Sequence, residues 1–232
     1  MLWNILKKDE YQTDVVEVLR EKNKEVESIL KGLTRDDIDE VFLFFDYDAH
    51  QNNLKDDLNI SPTEVLEEML EIFNDETELG KLYINYPMIE AVRDFSNITC
   101  IPFAGKCLWN VENFSHYKEA TGANNMKARL ERYNINDWKE MCVCFAMRIG
   151  CLFDIGKIPE YSFFYDNINS ETILKKQKEK YIKDGRIFVL SAIPQFLLEY
   201  HQEKFWRGYI GRRKNLKPIK GCIKTNSKKS KH

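Results

Sequence analysis

The stretch VFLFFDYDAHQ, residues 41 to 51, decides how the chain is read. Five apolar residues run without interruption into Asp46, Tyr47 and Asp48, and the sequence then turns polar. A run so short and so uniformly apolar suits a strand buried on both faces, as the strands of parallel sheets are, better than a surface helix. Side chains alternate along a strand, so Asp46 and Asp48 point to the same side, within roughly 7 Å of one another at its carboxyl end. That end is where open α/β sheets place ligands.

Two such carboxylates repel each other, and no Lys or Arg lies within six positions of them. A divalent cation removes the conflict. Magnesium takes one or two carboxylates together with waters and phosphate oxygens, a set that suits a phosphodiester substrate. The alternative is that the pair shapes a turn, since Asp favours turns and HQNN continues in that vein. A calcium loop fits less well, because Gln51 stands where glycine is required. An aspartyl phosphatase would want Thr or Ser where His50 stands.

Outward from this stretch the pattern is α/β. Residues 13 to 31 space Val15, Val16, Leu19, Val26, Ile29 and Leu30 as one amphipathic helix that stops at Gly32. On the other side, SPTEVLEEMLEIFND offers Ser61 as N-cap, Pro62 at the first helical position and Glu64 to complete a capping box. KLYIN reads as a short strand, closed by Pro87, and MIEAVRDF as the start of a helix. CIPFAGKCLW reads as irregular chain or a short strand. NINDWKEMCVCFAMRIGCLF reads as a buried helix capped by Asn136; a charged helix, a break at Gly185 and an apolar helix near Pro194 follow. The expected organisation is an α/β core over residues 1 to 98, a helical part over 99 to 210 packed on it, and a basic flexible tail over 211 to 232.

Composition bounds the function. With 232 residues and 43% hydrophobic content the chain can bury a sizeable core. No run approaches the roughly 18 to 20 apolar residues of a membrane span, and the amino terminus lacks a secretory pattern, so the cytoplasm is the expected compartment. The six cysteines (100, 107, 142, 144, 151 and 222) form no CxxC pair and lie mostly in apolar segments, which points to inert buried thiols. The net charge of −2 conceals a separation. From Arg207 onward there are ten basic residues and no acid, which leaves 25 basic against 37 acidic residues before it, a net of −12. A cationic tail with Arg212, Arg213 and Lys214 can contact phosphates by counterion release, with Tyr209 available to stack on a base; it can equally serve solubility.

FLFFDYDAH, followed by YINYPMIEAV, resembles the later part of a Toprim domain of the type found in OLD-like nucleases and phage-defence (abortive infection) proteins. The resemblance covers roughly residues 10 to 98 and implies a Toprim-like parallel sheet flanked by helices, ahead of a mostly helical C-terminal half. It implies Asp46, Asp48 and Glu90 as metal ligands and catalytic acids, Mg2+ or Mn2+ as cofactor, DNA or RNA as substrate, and an ATPase as a partner protein. His50, Lys81 and Arg93 are the nearby candidates for phosphate contact. The sequence departs from the family in its first strand, which should end in a glutamate followed by glycine; Glu10 has no apolar lead-in, and Glu17 and Glu40 are candidate substitutes. The Toprim-like part is therefore expected to be N-terminally incomplete, with one weakly held ion and low or absent nuclease activity. The rival expectation is a non-catalytic module that binds nucleic acid or protein through the basic tail. The aromatics Tyr83, Tyr86, Phe95, Trp109, Trp138 and Trp206 read as core, and His116 and His201 carry no signal.

Overall fold

A computed structural model describes residues 2–8, 10–47, 61–95, 107–123 and 130–213. The architecture is mixed α/β. Helices α1 (Leu2–Lys8), α2 (Val15–Lys22) and α3 (Lys24–Ile29) precede strand β1 (Phe42–Asp46). Helix α4 (Pro62–Ile72), a two-residue strand β2 (Asn74–Asp75) and strand β3 (Gly80–Asn85) come after it. β1 and β3 pair in parallel, Phe42 opposite Lys81 and Asp46 opposite Asn85, with α4 in the connection between them. β2 pairs antiparallel with β3, so the sheet is mixed and its order is β1-β3-β2.

That order corrects the expectation that the strand at 42–46 is buried on both faces. β3 is the central strand, and Leu82, Tyr83, Ile84 and Asn85 are all buried. Among the described residues β1 lies at the edge: Leu43 packs inward, whereas Phe44 keeps 40% of its surface exposed. A uniformly apolar strand can thus be an edge strand when its outer face lines a cleft.

Local chemistry accounts for the helix starts. Ser61 Oγ accepts from the amide of Glu64, whose carboxylate accepts from the amide of Ser61, and Pro62 follows the cap. α4 then lays Val65, Leu66, Met69 and Leu70 into the core. The expected single helix over 13 to 31 is two helices. Asn23 is extended (φ −134°, ψ 108°), and its Oδ1 accepts from the amides of Glu25 and Val26, so it ends α2 and caps α3. An Asn side chain that can satisfy orphan amides competes with continuation of the helix. α3 consequently buries nothing, and Ile29 is 70% exposed.

Beyond β3, a cis Tyr86–Pro87 bond leads into a 3-10 helix (Ile89–Phe95), over the stretch the sequence reads as the start of a helix. Strand β4 (Leu108–Asn110), helix α5 (Phe114–Ala123) and helix α6 (Ile135–Leu152) come next. The cap of α6 is Asn134, not Asn136. Its Oδ1 receives the amides of Asn136 and Asp137, and Asp137 returns a bond to the Asn134 amide. Helices α7 (Tyr161–Asn167) and α8 (Ser170–Lys180) precede a left-handed Gly185 (φ 65°), strand β5 (Arg186–Phe188) and helix α9 (Ala192–Phe205). β5 pairs antiparallel with β4. The buried amide of Gln177 grips this small sheet, donating to the Phe188 carbonyl (2.6 Å) and accepting from its N–H (2.9 Å).

One hydrophobic core runs across the expected division at residue 98. It joins Leu43, Met69, Phe73 and Leu82 to Phe145, Ile149, Ile187 and Leu198. Phe196 of α9 meets Phe42, Phe44 and Tyr83 edge-on at 4.8–5.8 Å, so the later helices cover a face of the first sheet. Residues 214–232, with Lys214 and most of the expected tail, lie outside the described residues. The chain from Trp206 to Ile210 belongs to the fold: Trp206 and Ile210 are buried, and the Tyr209 hydroxyl donates to Glu140. Tyr209, which the sequence offers for stacking on a base, is half-buried there and stacks on Phe205.

Helix α6 and the loop after it come close at Gly150, where an added Cβ would lie 2.0 Å from the Lys157 carbonyl oxygen. Gly150→Ala is expected to cost about 1–3 kcal/mol by overpacking. Gly208→Ala, where nothing lies within 4 Å, should stay within about 0.5 kcal/mol of the parent. Urea denaturation of both variants checks the contrast.

Candidate functional site at the carboxyl end of the sheet

The site begins with a change of polarity along β1. Leu43 faces the core, Phe44 and Asp46 face outward, and Tyr47 turns back inward. The Tyr47 side chain is 3% exposed, shares a hydrogen bond with Thr63 Oγ1 (3.0 Å) and stacks on Tyr86. Burial pushes its phenol above the ordinary value, against smaller opposing effects of Thr63 and Lys178. Tyr47 therefore stays a neutral peg that fixes the end of the strand. Asp46 is left exposed at the carboxyl edge.

A residue that carried no expectation from the sequence orients it. Asn85 closes β3 directly opposite Asp46 and is 1% exposed. Its Nδ2 donates to Asp46 Oδ1 (3.1 Å), and its Oδ1 accepts from the amide of Ala192 (2.9 Å), the first residue of α9. Tyr86 and Leu190 exchange backbone bonds at 2.8 and 2.9 Å just beside it. The start of α9 is thereby pinned against the edge that carries Asp46. The signal for Asn85 was present in YINYP: an amide closing a run of buried apolar residues needs buried partners.

The other expected site residues distribute unevenly. Glu90, in the 3-10 helix, is 8% exposed and ion-paired with Lys118 of α5 at 3.2 Å. Its neighbourhood is Tyr117, which donates to Asp94 Oδ2 at 2.7 Å. Burial, and after it the charge of Asp94, raises the Tyr117 phenol well above its usual value. Lys81 stands opposite Phe42, four residues along the strand from Asp46 and so about 13 Å away at the amino end. There it pairs with Glu199 (3.3 Å) and Glu76 (3.7 Å), beside a cleft of about 580 Å³ that Glu40 also lines. Lys81 is thus separated from Asp46 and already neutralised. Arg93 is half-buried, and Arg212 is exposed at the end of the described chain. Asp48, His50 and Lys214, and the side chain of Arg213, lie outside what is described.

The candidate substitutes for a first-strand glutamate lie elsewhere. Glu17 pairs with Arg20 (3.1 Å), Glu10 is exposed, and Glu40 precedes the amino end of β1. Among the described residues no group of three or more His, Cys, Asp or Glu could hold a metal ion. Asp46 suits magnesium, which accepts as few as one carboxylate when water and phosphate complete its shell. Glu90 suits it less, being already committed to Lys118.

The described cysteines 107, 142, 144 and 151 are all buried, in keeping with inert thiols. Burial pushes the Cys142 thiol up to about 12. The aromatics read as core contribute to it where described. Tyr83, Tyr86 and Trp206 are each 1% exposed, while Trp109 and Trp138 pack on the core from partly open positions. The Phe95 side chain is outside what is described. No helix among the described residues is long and apolar enough to cross a membrane. Comparison with protein-family models, with curated proteins and with solved structures finds no match to this chain.

Asn85→Ala removes the donor to Asp46 and leaves the Ala192 amide unpaired where its residue is 0% exposed. The expected loss is about 1–3 kcal/mol of unfolding free energy, read from chemical denaturation. A neutral result would show that Asn85 does not pin α9.

Proposed function

We propose that this chain is a Toprim-like, phosphate-directed protein. In this reading it holds a single magnesium ion weakly at the carboxyl edge of the β1–β3 pair and cleaves nucleic acid slowly or not at all. The observation that carries the reading is the exposed Asp46, held in orientation by a buried amide at the end of an otherwise apolar strand. A carboxylate placed so, beside a parallel neighbour, stands where α/β sheets bind ligands. Asp46, with Asp48 two positions on, would hold the ion. A bound Mg2+ would supply positive charge to phosphodiester oxygens and polarise a water.

The chain's own residues define the rest. Asn85 fixes the carboxylate, Tyr47 and Thr63 anchor the strand end, and Ala192 ties the edge to α9. Glu90 argues for one ion over a pair. Its carboxylate is shielded and neutralised by Lys118, so recruiting it to a metal would cost that ion pair.

A second reading has its own support. Arg212 is exposed where the described fold ends, and the chain beyond it adds seven further Lys or Arg, after Arg213, without an acid. A non-catalytic module that contacts nucleic acid or a protein through this tail, alone or beside an ATPase partner, fits that distribution.

Calorimetric titration with MgCl2 and MnCl2, run with a plasmid-nicking assay, separates the two. Weak saturable binding in the parent, reduced at least about tenfold in Asp46→Ala and Asp48→Ala but little changed in Glu90→Gln, supports the single-ion site. Equal behaviour of all four proteins with no nicking removes it and leaves the binding module. Removal of residues 214–232, which spares Trp206 and Ile210, then tests the tail through the salt dependence of DNA and RNA affinity.

A further inference from the structure

A second feature lies on the outer side of β1. α6 and α9 each turn a largely apolar stripe to the same trough: Ile135, Trp138 and Cys142, with Lys139 beside them, succeed one another at helical spacing on α6. Ile193, Phe196 and Leu197 repeat the pattern on α9, and Phe44 closes the end. The trough encloses about 860 Å³, the size of a small-molecule site. It reaches inward to Cys142, which has no solvent exposure and whose neutral thiol bonds to the Pro194 carbonyl (3.9 Å). Phe44 at 40% and Ile135 at 64% exposure leave apolar surface open to water at its rim.

The rim is cationic in a protein whose body is acidic. Lys139 and Lys204 line it with His201, and no acidic residue among the described ones does. The acids of the two flanking helices are occupied elsewhere. Asp137 caps α6, Glu140 receives the Tyr209 hydroxyl, Glu199 takes Tyr83 and Lys81, and Glu203 takes Arg207. Lys139 lies 5.7 Å from the centre of the Tyr209 ring, and neither lysine is ion-paired with a described residue. The trough follows α9 from Ile193 to His201, about 12 Å, and Lys204 stands beyond the break in that helix at Gln202 (φ 51°, ψ −151°).

We propose that this cleft binds an amphipathic organic acid: an aliphatic acyl chain lies along the α6–α9 floor and its carboxylate meets Lys139 and Lys204. The apolar floor supplies affinity through burial, and the two ammonium groups supply selectivity for the anion through charge-assisted hydrogen bonds. The complementarity is specific to a ligand with one greasy body and one negative end.

Sodium dodecanoate, kept below its micelle concentration, and dodecan-1-ol as its uncharged counterpart are the probes, titrated by calorimetry against the full chain. Dodecanoate is expected to bind saturably at one site. The double charge reversal K139E/K204E, at one half-buried and one exposed position, should weaken it about tenfold or more while leaving dodecanol within about twofold. Ile135→Asp, at a side chain already exposed, should weaken both. Thermal unfolding of the variants confirms that the fold persists. Absence of saturable dodecanoate binding, or binding untouched by K139E/K204E, overturns the proposal. So does tight binding of an acid-flanked amphipathic peptide that dodecanoate fails to displace, which would make the trough a helix-docking groove.

Discussion

The buried amide of Asn85 joins three parts of the fold at one point. Its nitrogen holds Asp46 at the end of the edge strand, and its oxygen holds the first amide of α9. Its backbone closes the central strand, and its carbonyl accepts from the Tyr47 amide at 2.9 Å. An amide so deeply buried is stable only with its partners made, because a lost partner leaves a polar group without water. The geometry of the carboxyl edge and the seating of the last long helix are therefore one constraint.

That constraint imposes a division of labour around a very small sheet. A parallel pair with a two-residue third strand cannot bury a core by itself. α4 covers one side through Val65, Leu66 and Met69, and α9 covers the aromatic side through Phe196. Buried polar groups lock the layers: Arg148 Nη1 donates to the Val189 carbonyl at 2.7 Å, and Gln177 grips Phe188. On the edge strand Phe44 and Asp46 stay exposed. The acid looks to the phosphate-directed site we propose, and the aromatic to the apolar trough.

Much of this was legible in the sequence, for reasons that can be named. The Ser61–Pro62–Glu64 signature and the left-handed Gly185 act through local backbone chemistry, so they survive any tertiary context. The parallel relation of 42–46 to 80–85 came from two apolar strands separated by a capped helix. Strand order was not legible, because nothing local tells an edge strand from a central one when its outer face is also apolar. Asn23 split a periodic pattern since its side chain satisfies two amides that continuation of the helix would have used. In NIND, Asn134 rather than Asn136 caps α6 because only Asn134 has an acid three residues later. At the candidate site the position of Asp46 was readable, whereas the pairing of Glu90 with Lys118 joins residues far apart in the chain. Lys81 was placed near the site by sequence proximity to YINYP, yet strand register carries it to the opposite end.

Hydrogen exchange at the Ala192 amide tests the central constraint most directly. If Asn85 pins α9 to the sheet edge, this proton exchanges only through global unfolding, with a protection free energy equal to that of the buried amides of Leu82 and Ile84 in β3. Exchange at the rate of an exposed helix terminus, in a protein that otherwise remains folded, would contradict it.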